Sequence, residues 1–227
     1  MTDIVRVQSA RQLTQFIDFP HDLYRGDANY VPELFSQQKL LLDRRSHPFF
    51  DHSEAEYFLA IRNGVVTGRI AAIRNNNFLN HTGCRTGHFG FFDVVDDVPT
   101  AQRLLEAAKD WLNAHGLERI AGPYNFSTNE TCGVLVDGFD SPPCIMTTYN
   151  KRYYGRLLEE CGLTREMELL SWFIRADDIP AGLVAVTPRI YQRIQSRGIT
   201  IRRVNMANFD REVSQIFDVY NQAWEGN

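Results

Sequence analysis

The 227-residue chain has no run of about 18 apolar residues, the length a membrane-spanning helix needs. Its first residues, Met-Thr-Asp-Ile-Val-Arg, show neither an apolar signal core nor an Arg-rich, acid-poor transit pattern. A cytoplasmic protein with no membrane partner is the expectation. It also lacks a basic excess. With 24 basic and 28 acidic residues the formal charge is −4 at pH 7, so nucleic acid is not an expected partner. Only four cysteines occur, Cys84, Cys132, Cys144 and Cys161, without a C-x-x-C spacing, and reduced thiols fit them better than disulfides or zinc. His47, His52, His81 and His88 make no metal-ligand spacing either, so no metal is expected.

What remains is an ordinary globular composition, 44% hydrophobic and 23% charged, in a chain about one and a half domains long. Ile4–Val7 reads as a strand. Ser9 with Gln12 forms a capping-box pattern that opens a helix carrying Leu13, Phe16 and Ile17 on one face. Leu34–Leu42 reads as a short amphipathic helix. Glu56–Arg62 and Val65–Arg74 flank Asn63-Gly64, the dipeptide favoured in type I′ turns, and predict a hairpin. Asn75–Asn77 reads as a turn. A third strand is expected through Gly87–Val95. Asp97, Pro99 and Thr100 then open a helix with Leu104, Leu105, Ala108, Trp111 and Leu112 in phase, closed by Gly116. Leu117–Ala121 begins another strand.

Residues 122–150 are dense in Asn, Asp, Gly and Pro, yet aromatic enough to be an ordered functional segment. Asn150 reads as the N-cap of a helix with Tyr154, Leu157, Leu158 and Cys161 on one face, and Leu169–Ile174 as a closing strand. After a linker at Asp177–Pro180, Thr187 and Pro188 suggest a helix start and Gly198 its end. Ile199–Val204 then reads as a strand and Phe209–Trp224 as a helix, with Val213, Ile216, Phe217, Tyr220 and Trp224 on one side. This last pair echoes the first, Ile4-Val5-Arg6-Val7 beside Ile201-Arg202-Arg203-Val204. The element order predicts an α/β (α+β) fold, a mixed and mostly antiparallel sheet with helices on both faces.

That order resembles the GNAT superfamily of acyl-CoA-dependent N-acyltransferases when read with three segments. They are Asn63-Gly64-Val65-Val66-Thr67-Gly68-Arg69-Ile70, the amphipathic helix after the third sheet strand, and Leu157-Leu158-Glu159-Glu160-Cys161-Gly162-Leu163. Pro48-Phe49-Phe50-Asp51-His52, Gly90-Phe91-Phe92, Gly122-Pro123-Tyr124-Asn125 and Val136–Pro143 are similar to a subgroup of longer bacterial GNAT-like proteins with tandem units. The resemblance implies three parts. Residues 1–175 form a GNAT-like acyltransferase domain, 176–198 a linker and connecting helix, and 199–227 the first strand and helix of a second, incomplete unit. The expectation is that the incomplete part continues in a longer protein, or packs on the first sheet or on a second copy in a homodimer.

The resemblance also implies acetyl-CoA or another acyl-CoA as co-substrate and a small amine or amino-acid-like molecule as acceptor. The pantetheine arm would pair with the strand around Phe92 and Val94. The pyrophosphate would sit on amides at Thr100 and Ala101, where the family carries a Gln/Arg-x-x-Gly-x-Gly/Ala loop. Here that loop is Asp96-Asp97-Val98-Pro99-Thr100-Ala101. Only Ala101 fits it, Pro99 removes one donor, and the residues themselves read as an acid-capped helix start that opposes phosphate. The family's general-acid tyrosine falls near Leu157-Leu158, a turn after Tyr153 and Tyr154.

In the polar segment, Asn125, Ser127 and Asn129 could orient an amine, with Glu130 as general base, and Tyr149 could join them; alternatively they satisfy backbone groups of a tight loop. Arg189, Arg193, Arg197, Arg202 and Arg203 give residues 180–227 a net +2 against −6 for residues 1–179, a basic patch or simply a solvated face. Two further readings stand beside the transferase. One is a non-catalytic GNAT-like domain that binds a ligand or a partner. The other is a Fem-like aminoacyl transferase, whose tRNA-binding surface the charge of −4 does not supply.

Overall fold

The computed structural model describes residues 2–224, which divide into two units, one ending at Leu169 and one beginning at Leu170. In the first unit, strand β1 (Thr2–Arg6) leads to helix α1 (Ala10–Leu23), which opens on the expected capping box, Ser9 and Gln12 bonding each other's backbone N–H groups. Helix α2 (Phe35–Leu41) and a 3₁₀ turn at Pro48–Asp51 follow. The hairpin is β2 (Glu54–Arg62) and β3 (Val65–Arg74). Its turn residues Asn63 and Gly64 have φ of 53° and 79°, the left-handed pair that a type I′ turn requires. Helix α3 (Asn76–Thr82) stands where a turn was expected, because the Asn75 side chain caps it by accepting the Phe78 N–H. Strand β4 (Thr86–Val94), helix α4 (Val98–Ala114), the short strand β5 (Arg119–Ala121) and helix α5 (Tyr154–Glu160) complete the unit.

The sheet runs β1-β2-β3-β4-β5, antiparallel except that β5 lies parallel to β4. Helices cover both faces, as the sequence predicts. Alternate residues feed two cores. Phe58, Ala60, Ile70 and Ala72 meet Leu104, Leu105, Ala108, Tyr154 and Leu157 of α4 and α5, whereas Tyr57, Leu59, Ala71 and Ile73 meet Phe16, Ile17, Leu42, Phe49 and Phe126.

Two irregularities of β4 position the site. Ala71 pairs with Gly90 and Arg69 with Asp93, so β4 takes three steps where β3 takes two. This one-residue bulge puts Phe91, at φ 48°, into the second core while Phe89 and Phe92 stay in the first. Strand β5 also pairs with β4 only over Thr86–His88. Beyond His88 the outer edge of β4 has no strand beside it among the described residues.

Several expectations are corrected. Asn150 does not cap α5. Its side chain accepts the Leu135 N–H at 2.6 Å and donates to the Leu135 carbonyl at 3.3 Å, pinning the long loop. Leu169–Ile174 and Ile199–Val204 are not strands: no strand among the described residues pairs with either, and a strand without a ladder leaves its backbone groups unmatched.

In the second unit, helix α6 (Ala181–Ser196) starts directly after Pro180 rather than at Thr187, and Pro188 lies inside it. Helix α7 (Phe209–Trp224) follows, with Arg202 paired to Glu212 at 2.7 Å. Its apolar residues Ile216, Phe217 and Tyr220 are exposed. Glu225–Asn227, with which the expected incomplete unit ends, lie outside the described residues.

Candidate active site

The unpaired edge of β4 is closed by side chains and loop backbone. The Phe89 carbonyl accepts the Tyr124 N–H at 2.8 Å, and the Phe91 N–H donates to Asn125 Oδ1 at 2.7 Å. The Val94 N–H donates to Tyr154 Oη at 3.1 Å, and the Val94 carbonyl accepts from Tyr153 Oη at 2.7 Å. Gly90 permits this crossing, since a Cβ there would stand 1.6 Å from the Tyr124 carbonyl oxygen.

At the end of this edge sits Asp93, which the bulge aims at α1. Its Oδ2 accepts from Arg69 Nε at 2.8 Å, and its Oδ1 accepts from Tyr154 Oη at 3.1 Å and Tyr24 Oη at 3.3 Å. Tyr24, the C-cap of α1, and Tyr154, from α5, arrive from different elements and stand 3.4 Å apart, hydroxyl to hydroxyl. Arg69 is almost wholly buried. It also donates to the Phe16 carbonyl at 2.8 Å and lies 4.9 Å over the Phe16 ring. A mostly buried carboxylate is tolerable because a guanidinium and two phenols satisfy it. Burial, and then the charge of Asp93, push the hydroxyls of Tyr24 and Tyr154 well above the usual phenol range, so both stay protonated at neutral pH.

Beside this network, Asp27 accepts from Tyr149 Oη at 2.9 Å, from Lys151 Nζ at 3.0 Å and from the Asn29 N–H at 3.2 Å. Burial pushes its carboxyl up, but the bonds from Lys151 and Tyr149 outweigh that and hold it below the ordinary value.

The residues singled out from sequence fall in three places. Asn125 and Tyr149 line the region just described, Asn125 on the β4 edge and Tyr149 on Asp27. Ser127, Asn129 and Glu130 close a turn on themselves: Glu130 Oε2 accepts the Ser127 N–H at 2.9 Å and the Ser127 hydroxyl, and Ser127 Oγ accepts the Asn129 N–H at 3.1 Å. Among the described residues the side-chain partners of Asp93 are Arg69, Tyr24 and Tyr154, not Glu130.

The side chains of Phe92 and Val94 are buried in the core under α4. Thr100 and Ala101 are fully buried, and their N–H groups already have acceptors. Asp97 Oδ2 takes that of Thr100 at 3.0 Å, and the Asp97 carbonyl takes that of Ala101 at 3.1 Å. Asp97 further pairs with Arg62 at 3.5 Å, and Asp96 with Arg156. A pyrophosphate does not fit at Thr100 and Ala101: both amides are in use and two carboxylates would face it.

Among the described residues no group of three or more His, Cys, Asp or Glu could hold a metal ion, and no helix is long and apolar enough to cross a membrane. Asp93, Arg69 and Tyr24 escaped the sequence reading. The available signal was an aspartate inside the apolar run Gly90-Phe91-Phe92-Asp93-Val94-Val95.

The mostly antiparallel sheet with helices on both faces is the fold class that the element order predicted. No family model matches the chain. It is 35% identical over 228 residues to a bacterial ceramide synthase of Caulobacter vibrioides, covering 99% of this chain and 58% of that protein. It is 31% identical over 215 residues to protein YghO of Escherichia coli, covering 95% of this chain and 54% of that one. The chain therefore spans rather more than half the length of either relative. Among solved structures, an aminoglycoside acetyltransferase with a coenzyme A bisubstrate analogue overlays with a TM-score of 0.47 at 12% identity, covering 78% of this chain and 99% of that one. A ribosomal-protein-alanine N-acetyltransferase of Brucella melitensis gives 0.44 at 16%, covering 77% and 97%. At these values the overlays say nothing about activity.

Proposed function

We propose that this chain is an N-acyltransferase that joins an activated acyl group to the primary amine of a long-chain amino alcohol, forming a ceramide-type amide. The observation that carries the reading is 35% identity to a bacterial ceramide synthase over 99% of the chain. A ceramide is the amide of a fatty acid and a long-chain amino diol, so the acceptor is an amine, as the resemblance implied, but a lipid one. A lipid acceptor also brings the protein to a membrane surface, a partner that composition did not suggest.

In amide formation the neutral amine, its ammonium form having first lost one proton to solvent, bonds through nitrogen to the acyl carbon, the leaving group departs with the electron pair of its bond, and the nitrogen gives up one further proton. Asp93 is assigned the role of receiving that proton through Tyr24: the amine proton passes to Tyr24 Oη as the phenol's own proton passes to Asp93 Oδ1. Arg69 holds Asp93 in place and is a positioning residue. The base expected at Glu130 gives way to Asp93 because the Glu130 carboxylate is engaged inside its own turn. The acyl donor is written as an activated acyl group because the start of α4 does not fit the pyrophosphate of coenzyme A. The same cap favours a second reading, a non-catalytic GNAT-like domain that binds the amine without acylating it.

Incubation with sphinganine and, in separate reactions, palmitoyl-CoA or S-palmitoyl-pantetheine, a thioester without the pyrophosphate, with N-palmitoyl product read by mass spectrometry, separates the two. The transferase reading expects product, reduced by about a hundredfold or more in Asp93→Asn. Amine binding with no product would favour the second reading.

A further inference from the structure

Apart from Tyr24, the cluster around Asp27 takes no part in the proton transfer assigned to Asp93, yet it holds a cation. The Lys151 ammonium lies 3.0 Å from Asp27 Oδ2 and 4.7 Å from the centre of the Tyr24 ring. Tyr24 is stacked on Tyr30 at 4.3 Å, and the Tyr149 ring stands 6.1 Å and 6.4 Å from these two while its hydroxyl fixes the other Asp27 oxygen. One carboxylate and the face of the Tyr24 ring, backed by Tyr30, attract a compact –NH₃⁺ by charge and by the negative ring face. Lysine is a scarce residue here, three in the chain against 21 arginines.

The seat is partly open, with the Lys151 and Asp27 side chains 24% and 21% exposed. The two segments that build it, residues 27–35 and 136–151, are tied together by Asn29 Nδ2 donating to the Phe139 carbonyl at 3.0 Å. Both carry large apolar side chains in solvent: Val31, Leu34 and Phe35 on one, and Val136, Ile145 and Met146 on the other. Exposed apolar side chains on the same two segments as a cation seat suit a ligand with an ammonium head and an alkyl tail.

We infer that this seat recognises the head of a long-chain primary amine, which replaces the Lys151 ammonium as its flexible four-carbon stem swings aside, while the alkyl chain lies over the apolar side chains. The inference deepens the proposed function and rests on it for the class of acceptor. Tyr24 joins the two sites: its ring forms a wall of the seat and its hydroxyl bonds Asp93.

Titration calorimetry of the 227-residue chain at pH 7 with octylamine and with octan-1-ol, which share a tail and differ in the head, tests the seat without any acyl donor. Octylamine is expected to bind at least tenfold more tightly than octanol. Asp27→Asn removes the preference, and Lys151→Met tightens octylamine severalfold while leaving octanol unchanged. Tyr149→Phe, which keeps the ring and the Asp27 charge, lowers the preference and serves if Asp27→Asn does not fold.

Equal binding of the two ligands, a preference that survives Asp27→Asn or is untouched by Tyr149→Phe, or an octylamine affinity indifferent to Lys151→Met would each overturn the inference. Amine preference without amide product would uphold the seat and remove the transferase. Product formation with an unchanged amine KM in Asp27→Asn would do the reverse.

Discussion

Replacing Arg69 with methionine keeps most of the apolar stem and removes the guanidinium on which Asp93 depends. The wild-type residue is 5% exposed, and its contacts are Asp93 Oδ2 at 2.8 Å, the Phe16 carbonyl at 2.8 Å and the face of the Phe16 ring. Asp93, with a side chain 13% exposed, would be left as a charge facing only two phenol hydroxyls. Breaking one side of a buried pair costs about 3–5 kcal/mol, a large share of the ~5–15 kcal/mol that holds a typical domain together. Adding Asp93→Asn removes the stranded charge, so the double variant should recover part of the loss. The coupling between the two sites should exceed ~1 kcal/mol, well above the ~0.5 kcal/mol within which independent sites add. Urea unfolding followed by circular dichroism on the wild type, both single variants and the double variant gives all four corners of the cycle. An Arg69→Met cost below ~1 kcal/mol, or simple additivity, would refute the view that Asp93 is a buried charge held by Arg69.

Three further outcomes are expected. Gly90→Ala should cost about 3 kcal/mol or more by thermal denaturation, because the new methyl meets backbone at Tyr124 rather than a side chain that can turn away. Asp97→Ala should cost ~1 kcal/mol at pH 7 as the cap of α4 is lost. Hydrogen bonding from Thr100 holds the Asp97 carboxyl below its ordinary value despite burial, so this contribution is present above about pH 4 and fades as pH falls through the depressed folded value; wild type and variant should converge in acid. His88 is buried between Phe78 and Tyr124 with Nδ1 unpartnered, and burial lowers its imidazole to about 4. The unfolded chain therefore binds a proton that the folded one refuses, and stability is lost as pH falls from about 6.5 toward 4; His88→Phe should flatten that limb by about 3 kcal/mol in a pH series of melts.

Local chemistry was legible in the sequence, and pairing at a distance was not. The Ser9 capping box, the Asn63-Gly64 turn and the Asp97 cap each involve residues within a few positions, and all three stand in the structure. Leu169–Ile174 and Ile199–Val204 have the apolar content of strands, but a strand exists only against a partner, and none among the described residues pairs with them. The Asp93 network gathers the C-cap of α1, one residue of β3, a bulge in β4 and the start of α5, residues up to 130 positions apart. Next to the bulge that separates Asp93 from Gly90 in register, Gly90 lies against the Tyr124 carbonyl, a contact no periodicity reveals. Ser127, Asn129 and Glu130 had both a chemical and a structural reading, and their hydrogen bonds close a turn.

The central claim is that Asp93 drives amide formation on a long-chain amine. The most direct measurement is the initial rate of N-palmitoyl sphinganine formation by the wild type and by Asp93→Asn, both shown to be folded by circular dichroism. The account predicts product from the wild type and about a hundredfold less, or lower still, from Asp93→Asn at equal protein concentration. Equal rates from the two folded proteins would contradict the role of Asp93, and no amide from the wild type with either palmitoyl-CoA or S-palmitoyl-pantetheine would contradict the transferase itself.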